Sequence, residues 1–221
     1  MADRPDLLLF DLDGTLSDPL QGIGRSINYA LEHFGFAPLT MTELAAYVGP
    51  PLDQTFRTLT GASVESDVLA LVAKYRERYA DVGYSENVLY PGIPEALSQL
   101  ETAGVSMGIC TSKRVDFAEK ILRMFGLRAH FRFVNGGEIG IHKWQQIEGL
   151  RANGMVSTSS IMVGDRDVDM IAAHRNGLKA AGVLWGYGSR TELEQEQPHY
   201  LLARTVEVVS LGTNALTTIT Q

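Results

Sequence analysis

The sequence predicts an α/β protein, a doubly wound (Rossmann-like) parallel sheet core with an inserted α-helical cap. Three observations predict it. Short, largely apolar runs recur along the chain, helical patterns separate them, and one long interval after the first run carries helical patterns alone.

Leu7-Leu8-Leu9-Phe10 is apolar at every position and ends at Asp11. A strand wetted on one face alternates polar with apolar, so an unbroken run reads as a strand buried on both faces, as in the middle of a parallel sheet. Similar runs occupy 105–110, 131–134, 160–163 and 179–184. Helical spacing fills the gaps over 93–103, 115–125, 144–152 and 168–176. Strand alternating with helix implies right-handed crossovers and a sheet covered on both faces. Residues 19–84 break the rhythm: Ile23, Ile27, Ala30, Leu31 and Phe34 recur at helical spacing, as do Val68, Leu71, Val72, Tyr75 and Tyr79. The expected division is therefore an α/β core of 1–16 with 86–221 and a helical cap of 17–85. Pro91-Gly92 marks the return to the core.

The 221 residues are 45% apolar and 20% charged, enough for a well-buried core in one or two domains. A formal charge of −7 argues against a nucleic-acid surface and against anionic membranes. It also means that an anionic substrate must be drawn in by a few local cations or a metal ion. The N-terminus carries charges where a signal peptide needs an apolar region, and no stretch approaches the roughly 18 apolar residues of a membrane span. The lone cysteine, Cys110, has no partner for an internal disulfide. A cytoplasmic protein, monomer or homodimer, is the expectation.

Four signals carry chemistry, each at or just beyond the C-terminal end of a predicted strand, where open parallel sheets place their ligand crevice. In Asp11-Leu12-Asp13-Gly14-Thr15, a carboxylate at a strand end can attack phosphorus. A second carboxylate two residues on can protonate the leaving oxygen and then activate water, while Gly14 lets the chain turn out of the strand. In Thr111-Ser112-Lys113, hydroxyls and backbone N–H groups can hold phosphoryl oxygens. Lys143 can neutralise charge as it develops. In Gly164-Asp165-Arg166-Asp167-Val168-Asp169, closely spaced carboxylates repel unless a cation sits among them, and Mg2+ takes such oxygen ligands. The five histidines lack metal-ligand spacing and read as surface or packing residues.

In this order and at these positions the chain resembles the haloacid-dehalogenase superfamily of phosphatases over essentially its whole length. Asp11 and Asp13 match its DxDGT motif, Thr111 its second motif, Lys143 its third, and Asp165 with Asp169 its GDxxxD motif. The resemblance implies Mg2+ bound by Asp11, the backbone carbonyl of Asp13 and Asp165, with Asp169 in support, and a cap that closes over the pocket. Finer resemblance to the phosphoglycolate phosphatase and 5′-nucleotidase-like branch rests on Asp11 to Asp18, on Val48-Gly49-Pro50-Pro51-Leu52, on Tyr90-Pro91-Gly92 and on Gly186-Tyr187-Gly188-Ser189-Arg190. It departs at Trp144, where such enzymes often carry proline after the lysine. Substrate contacts are expected from Thr111, Ser112, Lys143, Gly49 and Pro50. The expected activity is magnesium-dependent hydrolysis of a small phosphorylated metabolite. A sugar phosphomutase is the alternative within the superfamily. A phospho-accepting receiver, the alternative of another class, is shorter and has no helical insertion after its first strand. A dehalogenase would leave the acidic metal site unexplained.

Overall fold

The computed structural model describes residues 4–138 and 140–213. The chain divides into two units, Met1–Ser17 with Leu89–Gln221, and Asp18–Val88. The first opens with strand β1 (Leu8–Phe10). The chain leaves it along β2 (Ser17–Asp18) and returns along β3 (Val88–Leu89), which pair as a two-stranded ribbon.

The Asp18–Val88 unit is helical: α1 (Leu20–His33), α2 (Met41–Leu44), α3 (Leu52–Thr60) and α4 (Glu65–Asp81). Its core is the pair of apolar stripes expected from the spacing, except that Phe34 falls just past the end of α1 and is exposed. Ile23, Ile27, Ala30 and Leu31 of α1 are buried, as are Val68, Leu71, Val72, Tyr75 and Tyr79 of α4. Tyr75 and Tyr79 stack at 5.4 Å, so they are packing residues. Gly22 marks a close approach of backbones, since a Cβ there would lie 2.0 Å from the Gly83 carbonyl oxygen. Thr40 caps α2 reciprocally with Glu43.

The other unit continues with α5 (Ile93–Thr102), β4 (Met107–Cys110), α6 (Val115–Met124), β5 (Val134–Asn135), α7 (Lys143–Ala152), β6 (Ile161–Gly164), α8 (Asp167–Arg175), β7 (Lys179–Val183), α9 (Arg190–Gln195), β8 (Tyr200–Leu202) and α10 (Val208–Thr213). The strands form one six-stranded sheet in the order β5-β4-β1-β6-β7-β8, parallel throughout. β1 is central, its Leu8 level with Met107 on one side and Ile161 on the other. Leu8, Leu9 and Phe10 are fully buried, as a strand covered on both faces requires. Leu7 and Leu9 pack with Ile147, Leu150, Met162 and Met170, beneath α7 and α8. Because β4 and β6 flank β1, the chain's crossovers part beside β1, and the carboxyl end of such a strand is where open parallel sheets place a ligand crevice.

Two strands differ from what the sequence pattern shows. The run 131–134 predicts a strand, but β5 is Val134–Asn135 alone. Phe131 and Phe133 are apolar because they cover the sheet. Phe131 meets Phe10 edge-on at 6.1 Å, and the Phe133 ring occupies the space a Cβ of Gly108 would take. The edge strand β8 was not expected, since three residues after Pro198-His199 leave too short a run to register as a pattern.

Candidate active site

Asp11 follows β1 directly, its backbone N–H donating to the Val163 carbonyl at 2.9 Å, so the sheet ladder fixes its position. The chain then turns sharply. The Leu12 carbonyl accepts from Leu16 at 2.9 Å and from Ser17 at 3.2 Å, and Gly14 adopts φ +81. Gly14 is required twice over: a Cβ there would lie 2.1 Å from Asp165 Oδ2. β6 delivers Asp165 from the neighbouring position, and α8 delivers Asp169 in its first turn. Asp11, Asp165 and Asp169 are all buried, with carboxylate oxygens within 4.8 Å of one another. The carboxylate of Asp13 is not in this group.

Lys143 sits among them, its side chain 3% exposed. Its Nζ donates to Asp169 Oδ1 at 2.5 Å and makes an ion pair at 3.1 Å with Asp11 Oδ1, an oxygen that has no aligned hydrogen-bond partner. Burial opposes the charge on Lys143, but the Asp11 and Asp169 carboxylates outweigh it and hold its pKa above the usual lysine value. Lys143 is the first residue of α7, one position earlier than the periodicity suggests. Gln145 Oε1 accepts from the His142 N–H at 2.9 Å across the helix start, and this reach-back seats the lysine without a following proline. Trp144 instead joins the α7–α8 packing, its carbonyl accepting from Asn176 Nδ2 at 2.9 Å and its ring lying under Arg175.

One lysine does not balance three buried carboxylates. Burial first, then the charges of Asp169 and Asp11, push the Asp165 pKa up to about 8. Burial likewise raises Asp169 to about 6, against the pull of Lys143. Asp169 is otherwise well held, its Oδ2 accepting from the Arg166 N–H at 3.1 Å.

The loop after β7 wraps this centre. The Tyr187 N–H donates to Asp165 Oδ2 at 2.8 Å, and Trp185 Nε1 donates to the Thr15 carbonyl at 3.0 Å. A Cβ on Gly186 would meet Asp165 at 2.4 Å, and one on Gly188 would meet the Asp165 carbonyl at 1.9 Å. Glu192 of α9 holds the turn between β6 and α8 that carries Asp165, accepting from Arg166 Nε at 2.8 Å and from the Asp167 N–H at 3.1 Å. Sequence reasoning gave Trp185, Tyr187 and Glu192 no role; the two glycines flanking Tyr187 were the available signal.

Thr111 follows β4 and is buried, its Oγ1 accepting from the Lys113 N–H at 3.3 Å. Its own O–H remains a donor. Ser112 is exposed. Lys113, quoted in the sequence motif but assigned nothing, makes an ion pair with Asp13 Oδ2 at 2.8 Å. Burial raises the Asp13 pKa and Lys113 lowers it, burial being the larger effect. Gly49 and Pro50 lie in the helical unit just before α3, Gly49 exposed with φ +107. No histidine belongs to a potential metal-binding group among the described residues.

The donor set suits a hard divalent cation: oxygen ligands, a buried Asp11 oxygen with no hydrogen-bond partner, and carboxylates in excess of nearby lysine. The haloacid dehalogenase-like hydrolase family matches residues 8–183. The chain belongs to this family. A 5′-nucleotidase of Pseudomonas aeruginosa is 39% identical over 198 residues, 87% of this chain and 89% of that one. A phosphoglycolate phosphatase of Agrobacterium fabrum is 32% identical over 209 residues, 89% of this chain and 88% of that one. The tyrosine-protein kinase PtkA of Mycobacterium tuberculosis is 37% identical over 194 residues, 85% of this chain but 65% of that longer protein. Among solved structures, a putative phosphatase from Clostridium difficile superposes with a TM-score of 0.85 at 36% identity, covering 93% of this chain and 97% of that one. By family and by these relatives, this hydrolase is of the phosphatase class. No helix among the described residues is long and apolar enough to cross a membrane.

Proposed function

We propose that this hydrolase cleaves small phosphate monoesters of the 5′-nucleotide or phosphoglycolate type through an aspartyl phosphate on Asp11. One observation carries the reading: Asp11 and Asp13 stand two residues apart beyond the central strand, each paired to its own lysine, Lys143 and Lys113. In the first step an Asp11 oxygen attacks phosphorus and the bond to the ester oxygen breaks, that oxygen taking a proton from Asp13. In the second step water attacks phosphorus and returns a proton to Asp13, the Asp11–phosphorus bond breaks, and inorganic phosphate leaves. Lys143 offsets the negative charge brought against Asp11 and Asp169, and the Thr111 hydroxyl donates to a phosphoryl oxygen. Mg2+ held by Asp11, Asp165 and the Asp13 backbone carbonyl would supply positive charge to the phosphoryl oxygens. Asp169 supports the site by holding Lys143 and the start of α8.

The names of the 5′-nucleotidase and phosphoglycolate phosphatase relatives support the substrate class. Gly49 and Pro50, from the helical unit, are proposed to influence which monoester is accepted. The test is phosphate release with Mg2+ over a panel of 5′-nucleotides, phosphoglycolate and sugar phosphates, with ATP and a tyrosine peptide in parallel. Free phosphate from monoesters without a bisphosphate activator is the expected result. Phosphoryl transfer to a sugar hydroxyl or to tyrosine, with no free phosphate, would overturn the proposal.

A further inference from the structure

Asp13 acts as acid and base in the proposed reaction, and what its partner Lys113 contributes to those proton transfers follows from its placement. Lys113 is a nearly buried cation, its side chain 7% exposed, with Nζ 2.8 Å from Asp13 Oδ2. The other Asp13 oxygen, Oδ1, is buried and has no hydrogen-bond partner. The two oxygens of one carboxyl are thus in different states, one held by an ammonium and one left over.

The backbone of Lys113 is itself held. Its N–H donates to Thr111 Oγ1 at 3.3 Å, and its carbonyl accepts from the Gly137 N–H at 2.8 Å. The loop after β5 can come this near only because it is glycine there: a Cβ on Gly137 would lie 2.3 Å from the Ser112 carbonyl oxygen, and one on Gly136 would lie 2.3 Å from the Val115 nitrogen. Two loops at adjacent strand ends therefore fix the base of the lysine, and the lysine fixes the carboxyl. Stability gives little reason for this arrangement, since desolvating an ammonium and a carboxylate offsets most of their attraction. Orientation gives a strong one. A carboxyl rotates over a broad torsional range about its terminal bond, and misplacing a reacting group by about 1 Å costs on the order of 100-fold in rate.

We propose that Lys113 is the positioning residue for Asp13: it holds Oδ2 and leaves Oδ1 as the oxygen that carries the proton in both half-reactions. The inference rests on the acid–base reading of Asp13. In the first half-reaction Oδ1 gives its proton to the ester oxygen as the phosphorus–oxygen bond breaks. In the second, Oδ1 takes a proton from the attacking water as the bond from phosphorus to Asp11 breaks. Lys113 keeps its own protons throughout.

The test compares Lys113→Met, Lys113→Arg and Asp13→Asn on two esters under saturating Mg2+, an alkyl phosphate whose leaving oxygen needs a proton and p-nitrophenyl phosphate, which needs little help. Thermal unfolding of each variant checks the fold. For Lys113→Met the expected loss in kcat is about 10- to 100-fold greater on the alkyl ester than on the nitrophenyl ester, a part of the 10²–10⁴-fold that a general acid contributes. Lys113→Arg, which keeps a cation at this place, should recover part of that difference. Asp13→Asn should show the same selectivity more strongly. Equal losses on both esters with Lys113→Met, or a loss confined to KM, would overturn the positioning role while leaving Asp13 as the acid. Absence of leaving-group selectivity in Asp13→Asn would overturn both.

Discussion

Removing and restoring Mg2+ at two pH values tests the imbalance of charge around Asp11. Three buried carboxylates gather where Lys143 pairs with two of them, Asp11 and Asp169, so the metal-free site meets its deficit by holding a proton, with the Asp165 pKa pushed up to about 8. A folded-state carboxyl pKa raised above its unfolded value of 3.8 means that the native protein holds a proton the unfolded chain has lost. Through this group, metal-free stability therefore falls as pH rises across that window. The metal competes with the same proton, so below about pH 8 its affinity drops roughly 10-fold, about 1.4 kcal/mol, per pH unit. With free Mg2+ about 100-fold above its Kd the native state gains about 2.7 kcal/mol. At about 2–4 °C per kcal/mol for a chain of this size, Tm should rise by about 5–10 °C near pH 8. At the same Mg2+ concentration near pH 6, the roughly 100-fold weaker binding should remove most of that rise. Thermal unfolding in EDTA and in Mg2+, for the native chain and Asp165→Asn, measures both effects. An equal shift at the two pH values, or a full shift in Asp165→Asn, would refute the reasoning.

Three further perturbations follow from the same geometry. Gly14→Ala should cost about 1–2 kcal/mol for its left-handed backbone and, by displacing Asp165, should also abolish the Mg2+-induced Tm shift. Gly35→Ala has the same φ of +81 but nothing within 4 Å of its new Cβ, so it should show the backbone cost alone. Lys143→Met in EDTA should lower unfolding free energy by about 3–5 kcal/mol, because it leaves Asp11 and Asp169 buried without their cation; a loss under about 1 kcal/mol in urea titrations would contradict that. His199 should make the fold acid-sensitive. Burial first, then His174 and Lys179, hold its pKa below the usual histidine value, and its Nδ1 accepts from the Ala180 N–H at 3.2 Å. Its contribution is present above the unfolded pKa of 6.5 and is lost as pH falls through the lowered value, so urea stability of His199→Asn should decline less on acidification than that of the native chain.

How much of this was legible depended on whether the signal was local. β1, β4, β6 and β7 could be read because a strand buried on both faces is largely apolar, and β1, β4 and β6 are each followed directly by a residue of the site. Asp11, Thr111, Lys143 and Asp165 were therefore legible as strand-end or helix-start chemistry. β8 and the true extent of β5 were not, because edge strands of two or three residues carry no period. Lys113 and Trp185 were missed for another reason. What they do is defined by partners 100 and 170 residues away, Asp13 and Thr15, and such pairings leave no spacing in the sequence. The glycines were half-legible. Gly14 announces a turn, but that its missing Cβ makes room for Asp165 appears only when the two loops are brought together.

Covalent catalysis requires a bond between Asp11 and phosphorus. The most direct measurement is acid-quenched mass spectrometry of the Asp13→Asn protein mixed with p-nitrophenyl phosphate and Mg2+, since a good leaving group permits the first step while loss of the base slows the second. A phosphoryl adduct is expected on the peptide bearing Asp11, absent from the Asp11→Asn, Asp13→Asn double variant. Phosphate release by the native protein with no adduct under these conditions, together with near-native turnover in Asp11→Asn, would contradict it.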